Sequence, residues 1–285
     1  MKQLLVIFCS ALSFGCNSDD DNSQSNHLSA QGGLDPNVAP ITAGSWYRPE
    51  VSVTWQWQLE GSLNTSYPVS LYDVDLFDTA TATIKSLQGS GKKVVCYFSA
   101  GSFEDFRDDK DLFTPSDLGN TLDGWEDERW LDIRSANVHD IMKKRLDVAK
   151  KKGCDGVEPD NMDGYINKSG FTLTAQDQLA YNRFIANEAH KRNLAVGLKN
   201  DLDQVTELVE YFDFAVNEQC FEYNECDTLL PFINQGKPVL TAEYLDKYVS
   251  NASERAAICQ ESRNKQFSTL ILPLDLNDSF RFSCL

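Results

Sequence analysis

From Trp55 onward, short apolar runs alternate with longer stretches in which apolar residues recur every three or four positions. The short runs are too brief for helices, and each breaks off into polar residues. This is the pattern of strands buried on both faces of a parallel sheet, with the longer stretches as the connecting helices. Eight strands are expected, over residues 55–59, 71–76, 93–99, 156–160, 195–199, 212–217, 239–243 and 269–274. Residues 137–152 place Val138, Ile141, Met142, Leu146 and Ala149 on one stripe, and Gly153 follows as the stop, since a residue without Cβ suits a left-handed C-terminal cap. Thr174 and Asp177 have capping-box spacing and open a helix that ends near Asn193. Shorter helices are expected over residues 204–211, 227–234 and 253–264. Repeated strand-helix units without a long internal repeat predict an α/β chain, a single (β/α)8 TIM barrel over residues 45–285.

The first 44 residues obey a different rule. Lys2, the apolar run from Leu4 to Leu12 and Gly15-Cys16 read as a lipoprotein-type signal over residues 1–16, too short to span a bilayer. Acylation of Cys16 would anchor the mature chain to a membrane, and the polar residues 17–44 would form a flexible tether. The expected location is the outer membrane or cell surface, or otherwise the periplasm or the medium. Export permits disulfides. Cys220 with Cys226 and Cys259 with Cys284 are the expected bridges, whereas Cys96 and Cys154 read as buried thiols unless they face each other across neighbouring strands. No paired-cysteine motif or histidine spacing suggests zinc. The 43 acidic and 26 basic residues, a net charge of −17, argue against nucleic acid and favour a cationic ligand.

In such barrels chemistry sits at the C-terminal ends of the strands. Acidic residues there are Asp75, Asp78, Glu158, Asp160, Asp163, Glu218, Glu243 and Asp275. Carboxylates converging on one mouth split their proton affinities, so that one stays protonated while another stays ionised, and glycoside hydrolysis needs such a pair. Strand alternation puts Glu158 and Asp160 on the same inward side, with Lys199 placed to hold Glu158 ionised. Glu218 stands at the abrupt change from apolar Phe214-Ala215-Val216 to polar residues, a position suited to a general acid.

The phrases Trp55 to Leu59, Tyr72 to Asp78, Val95 to Gly101, Asp155 to Tyr165, Gly197 to Asn200 and Asn217 to Cys220 resemble glycoside hydrolase family 114, the endo-α-1,4-polygalactosaminidases, in that order and at barrel spacing. The resemblance implies a (β/α)8 fold, no cofactor and no metal, endo-cleavage of galactosamine-containing exopolysaccharide, and a carboxylate pair at Asp160 and Glu218. Trp55, Tyr97 and Tyr165 are candidates to stack on sugar rings; Asp75, Glu158, Asp163 and Glu243 to meet substrate amines; Asn161 and Asn200 to bind hydroxyls. A monomer is expected. The competing readings are a non-catalytic carbohydrate-binding barrel and an enzyme using the Asp cluster with a divalent cation.

Overall fold

The computed structural model describes residues 33–285, so the signal and Cys16 expectations lie outside the described residues. All eight expected strands form: β1 (Trp55–Gln58), β2 (Leu71–Asp75), β3 (Lys93–Ser99), β7 (Gly156–Asp160), β8 (Ala195–Lys199), β9 (Phe214–Glu218), β10 (Val239–Glu243) and β11 (Ser268–Ile271). They run parallel in one curled sheet in that order, and β12 (Phe282–Ser283) adds antiparallel to β11. Among the described residues no ladder joins β1 to β11. The Trp55 indole donates instead to the Ser268 carbonyl at 2.8 Å, and the Leu59 amide to the Leu276 carbonyl at 3.1 Å. The first connection, between β1 and β2, carries no helix. The observed architecture is therefore α/β with a curled, largely parallel sheet.

Helices α1 (Thr81–Gly89), α2 (Ala136–Lys152), α3 (Ala175–Lys191), α4 (Val205–Leu208), α5 (Leu230–Asn234), α6 (Asp246–Ser250) and α7 (Ala252–Asn264) fill the other connections. The expected caps are present: Gly153 is left-handed after α2, and Thr174 with Asp177 makes the capping box of α3. Not foreseen was a three-stranded antiparallel sheet inserted between β3 and α2, with β6 (Trp125–Leu131) between β4 (Ser102–Glu104) and β5 (Leu118–Leu122).

Strand alternation sorts the core into two clusters. Trp55, Trp57, Leu71, Val95, Phe214, Val216, Leu240 and Leu270 pack together inside the curl. Their neighbours Tyr72, Val94, Cys96, Val157, Val196 and Val239 pack outward, with Val138, Ile141, Met142 and Leu146 of α2. Each such side chain stabilises the fold by about 1.5–3 kcal/mol.

Three disulfides join Cys96 to Cys154, Cys220 to Cys226 and Cys259 to Cys284. The thiol expectation for Cys96 and Cys154 is corrected. Cys96 points outward from β3, and Cys154 lies two residues before β7, the strand paired with β3, so their Cα atoms lie 6.1 Å apart, within bridging reach. Three bridges indicate folding in an oxidising compartment, as for an exported protein. Within residues 17–44, expected to be a polar tether, part of the described stretch contacts the rest of the chain. The Ile41 amide donates to Asn187 Oδ1 at 2.8 Å, Asn187 Nδ2 donates to the Ala39 carbonyl at 3.0 Å, and Leu34 packs on the core.

Candidate active site

The C-terminal ends of β3, β7, β8 and β9 meet at the floor of a cavity of about 380 Å³. The turns leaving these strands aim its carboxylates. The amides of Ala100 and Gly101 donate to the Asp160 carbonyl at 2.9 and 3.0 Å. A Cβ on Gly101 would lie 1.7 Å from the Asn161 carbonyl oxygen, so only glycine permits this approach. Asn161 and Asn200 take left-handed φ values of 60° and 49°, which asparagine tolerates better than most residues. The Asn161 amide donates to Asp160 Oδ1 at 2.7 Å, and its side chain reaches the hydroxyls of Ser99 and Ser102. Asn200 Oδ1 accepts from the Glu218 amide at 3.1 Å.

Lys199 lies between the carboxylates. Its Nζ is 2.8 Å from Asp160 Oδ1 and 2.9 Å from Glu218 Oε2. Burial alone would depress this ammonium, but Asp160, then Glu218 and Glu158, outweigh it and hold lysine charged well above its ordinary range. The Tyr97 hydroxyl donates to Asp160 Oδ2 at 3.1 Å, and the Tyr244 hydroxyl donates to Glu218 Oε1. Burial first, and then the charge of the carboxylate each one touches, pushes both phenols well above the ordinary tyrosine range, so they remain donors.

Beneath this pair, Asp73 and Glu158 are fully buried. Burial pushes Asp73 up to about 7. It lifts Glu158 well above the usual range, and the charge of Asp73 adds to that. The expectation that Lys199 keeps Glu158 ionised is corrected: the ammonium is 3.9 Å from Glu158 and spends its contacts on Asp160 and Glu218.

A stability test follows from linkage. In the unfolded chain Glu158 ionises near 4.5, whereas in the fold it stays neutral to higher pH, so its contribution is lost as pH rises above about 4.5. Glu158→Gln should therefore gain melting temperature over the parent as pH rises above about 4.5. A difference that does not change with pH would mean Glu158 is ionised inside the fold.

Asp75, Tyr97, Asn161, Asp163, Lys199 and Asn200 line the cavity with Asp160 and Glu218. Asp75 is already neutralised by Arg107, at 2.6 Å. Burial, and then the charge of Asp160, raises Asp163 to about 6. Four expected residues are not on the wall, Glu158 among them because it is buried beneath it. Trp55 is one layer lower, packed in the interior core. Tyr165 sits in the short turn Gly164–Ile166, raised to about 12 by burial and then by Asp201. Glu243 is fully buried, where its Oε1 accepts the Phe221 amide at 2.8 Å and burial raises it to about 7.

Sequence reasoning missed Trp57, Arg107, Glu128, Trp125 and Tyr244. Trp57 faces the cavity two positions above Trp55, with the Lys199 ammonium 5.2 Å from its ring. Tyr244 follows Glu243 directly, so the signal at the end of β10 was read one residue early.

Cleaving a glycosidic bond takes two carboxylates on either side of the anomeric carbon, in a cavity open to a chain of sugars. This floor brings two carboxylates together, and the protein is of the glycoside hydrolase class. The chain belongs to glycoside hydrolase family GH114, whose model matches residues 36–285. It is similar to the crystal structure of Ega3 from Aspergillus fumigatus in complex with galactosamine. The two are 46% identical, the match covers 85% of this chain and 99% of that one, and the TM-score is 0.80. The glycoside hydrolase domain of PelA from Pseudomonas aeruginosa, 14% identical, shares the fold with a TM-score of 0.64 over 81% of this chain and 98% of that domain. No curated protein sequence matches closely enough to add to these comparisons.

Proposed function

We propose that the chain is a retaining, endo-acting hydrolase of α-1,4-linked galactosamine-containing exopolysaccharide, using Asp160 as nucleophile and Glu218 as acid and base. The carrying observation is that both carboxylates touch one nitrogen. Contacts of 2.8 and 2.9 Å to Lys199 Nζ put the two oxygens no farther apart than the sum of those lengths. That limit falls short of the about 6.5–9.5 Å of inverting enzymes and suits the about 5–5.5 Å of retaining ones.

Asp160 attacks the anomeric carbon as Glu218 gives its proton to the departing glycosidic oxygen, which leaves a glycosyl ester on Asp160. Glu218 then takes a proton from water, the hydroxide portion attacks the same carbon, and Asp160 departs as carboxylate. Lys199 and Tyr97 donate to the two oxygens of the nucleophile and orient it. The two carboxylates and water complete this chemistry without a cofactor.

The substrate class rests on the similarity to a galactosamine-bound relative and on the acidic wall. Asp75 is spent on Arg107, so Asp163, Asp78, Glu128 and Asp275 remain to meet protonated amines. The same reading has the parallel sheet closing into a (β/α)8 barrel, the protein working as a monomer, and Cys16 carrying a lipid that holds it at the membrane.

Proton NMR of the first products from a partially deacetylated α-1,4-galactosamine polymer tests the mechanism. Newly formed ends of α configuration are expected, with slower cleavage of the fully N-acetylated polymer. First-formed β ends would remove the nucleophile role from Asp160, and equal rates would remove the amine from recognition.

A further inference from the structure

The cavity extends beyond the carboxylate pair along a wall that the proposed mechanism does not use. Of the nine large apolar side chains exposed among the described residues, three line this cavity: Phe106, Trp125 and Leu274, at 58%, 48% and 56% exposure. Trp125 opens β6 at the tip of the inserted sheet, paired with Leu122 across Asp123-Gly124. Its ribbon is held in place because β6 pairs with strands on both sides and Arg129 Nε donates to the Gly119 carbonyl at 2.9 Å. A half-exposed indole on a braced ribbon keeps its ring available at little ordering cost.

The surroundings of this ring are anionic. Asp123, Glu126, Asp127 and Glu128 share the segment with Arg129 as its sole cation. Glu128 lines the cavity, accepts from the Ser102 hydroxyl at 2.5 Å, and is raised to about 7, first by burial. Asp78 faces the same space with its side chain 80% exposed, and its contact with Arg107 is long, at 3.4 Å. An aromatic platform lining the same cavity as two carboxylates, neither in a close ion pair, fits one ligand chemistry: the apolar face of a sugar ring that carries a protonated amine.

We infer that Trp125, Glu128 and Asp78 form a distal subsite for a second aminosugar unit of the polymer, away from the bond being cleaved. The inference rests on the proposed function and adds what that reading does not specify, the residues that grip the chain beyond the scissile unit. Trp125 takes the ring face, and Glu128 with Asp78 takes the ammonium.

Calorimetric titration of α-1,4-linked galactosamine oligomers of increasing length into the full chain carrying Glu218→Gln, which binds without turnover, tests it. Affinity should climb with length until a unit reaches Trp125. Adding Trp125→Ala should remove that last step, about tenfold, leave the shortest binding oligomer unaffected, and let Trp125→Phe recover most of the loss. Glu128→Gln should weaken amine-bearing oligomers and leave their N-acetylated counterparts unchanged. Unchanged length dependence in Trp125→Ala, or equal weakening at every length, overturns the subsite while the function stands. A parent protein that binds no oligomer overturns the function and the subsite together.

Discussion

Lys199→Met should unfold about 3–5 kcal/mol more easily than the parent, the usual range for removing one partner of a buried ion pair. It should also lose at least a hundredfold in turnover. The lysine side chain is 4% exposed and touches Asp160 and Glu218 together. Without it two carboxylates face each other across a short gap with no cation between them, and one will take a proton in order to stay there. Asp160 then ceases to be a dependable nucleophile near neutral pH. Urea unfolding gives the first effect and initial rates on the deacetylated polymer the second. A variant as stable and as active as the parent would mean that the lysine is a bystander.

Asp160→Asn and Glu218→Gln should each cut turnover by about 10³–10⁴, toward the upper range for losing a positioned acid, base or nucleophile. The circular dichroism of the fold should not change, because both side chains sit on the cavity wall and Lys199 keeps one carboxylate partner in either variant. The two losses should not multiply in the double variant, since both residues act in one chemical event. Either single variant keeping more than a tenth of parental turnover would move the chemistry to another residue.

The strands were legible because they are buried on both faces, so their apolar runs end abruptly where the sheet meets the cavity. The same break marked Asp160 and Glu218 as residues at a mouth. Height along a strand was harder to read. Trp55 and Trp57 point to the same side, yet Trp55 pairs with Leu71 in the lower layer and Trp57 with Asp73, next to the site. Alternation gives the face; the layer depends on register between strands distant in sequence. The end of β10 failed by one residue, which buried Glu243 and placed Tyr244 on Glu218. The inserted sheet had no apolar signature, because most of β6 is exposed and charged. Arg107 was equally hidden, since nothing local to it in the sequence points to Asp75 thirty-two positions earlier.

The bridge between Cys96 and Cys154 spans 58 positions of sequence, and the whole inserted sheet, with Trp125 and Glu128, lies inside the loop it closes. Closing a loop of that length stabilises a fold by about 4 kcal/mol in chain-entropy terms. It also fastens β3 to the turn leading into β7 from the outer side of the sheet, which helps the backbone carrying Tyr97 and Asp160 keep its register. A change confined to the exposed tip, Asp123-Gly124-Trp125, therefore leaves the strands that carry Tyr97 and Asp160 tied to each other.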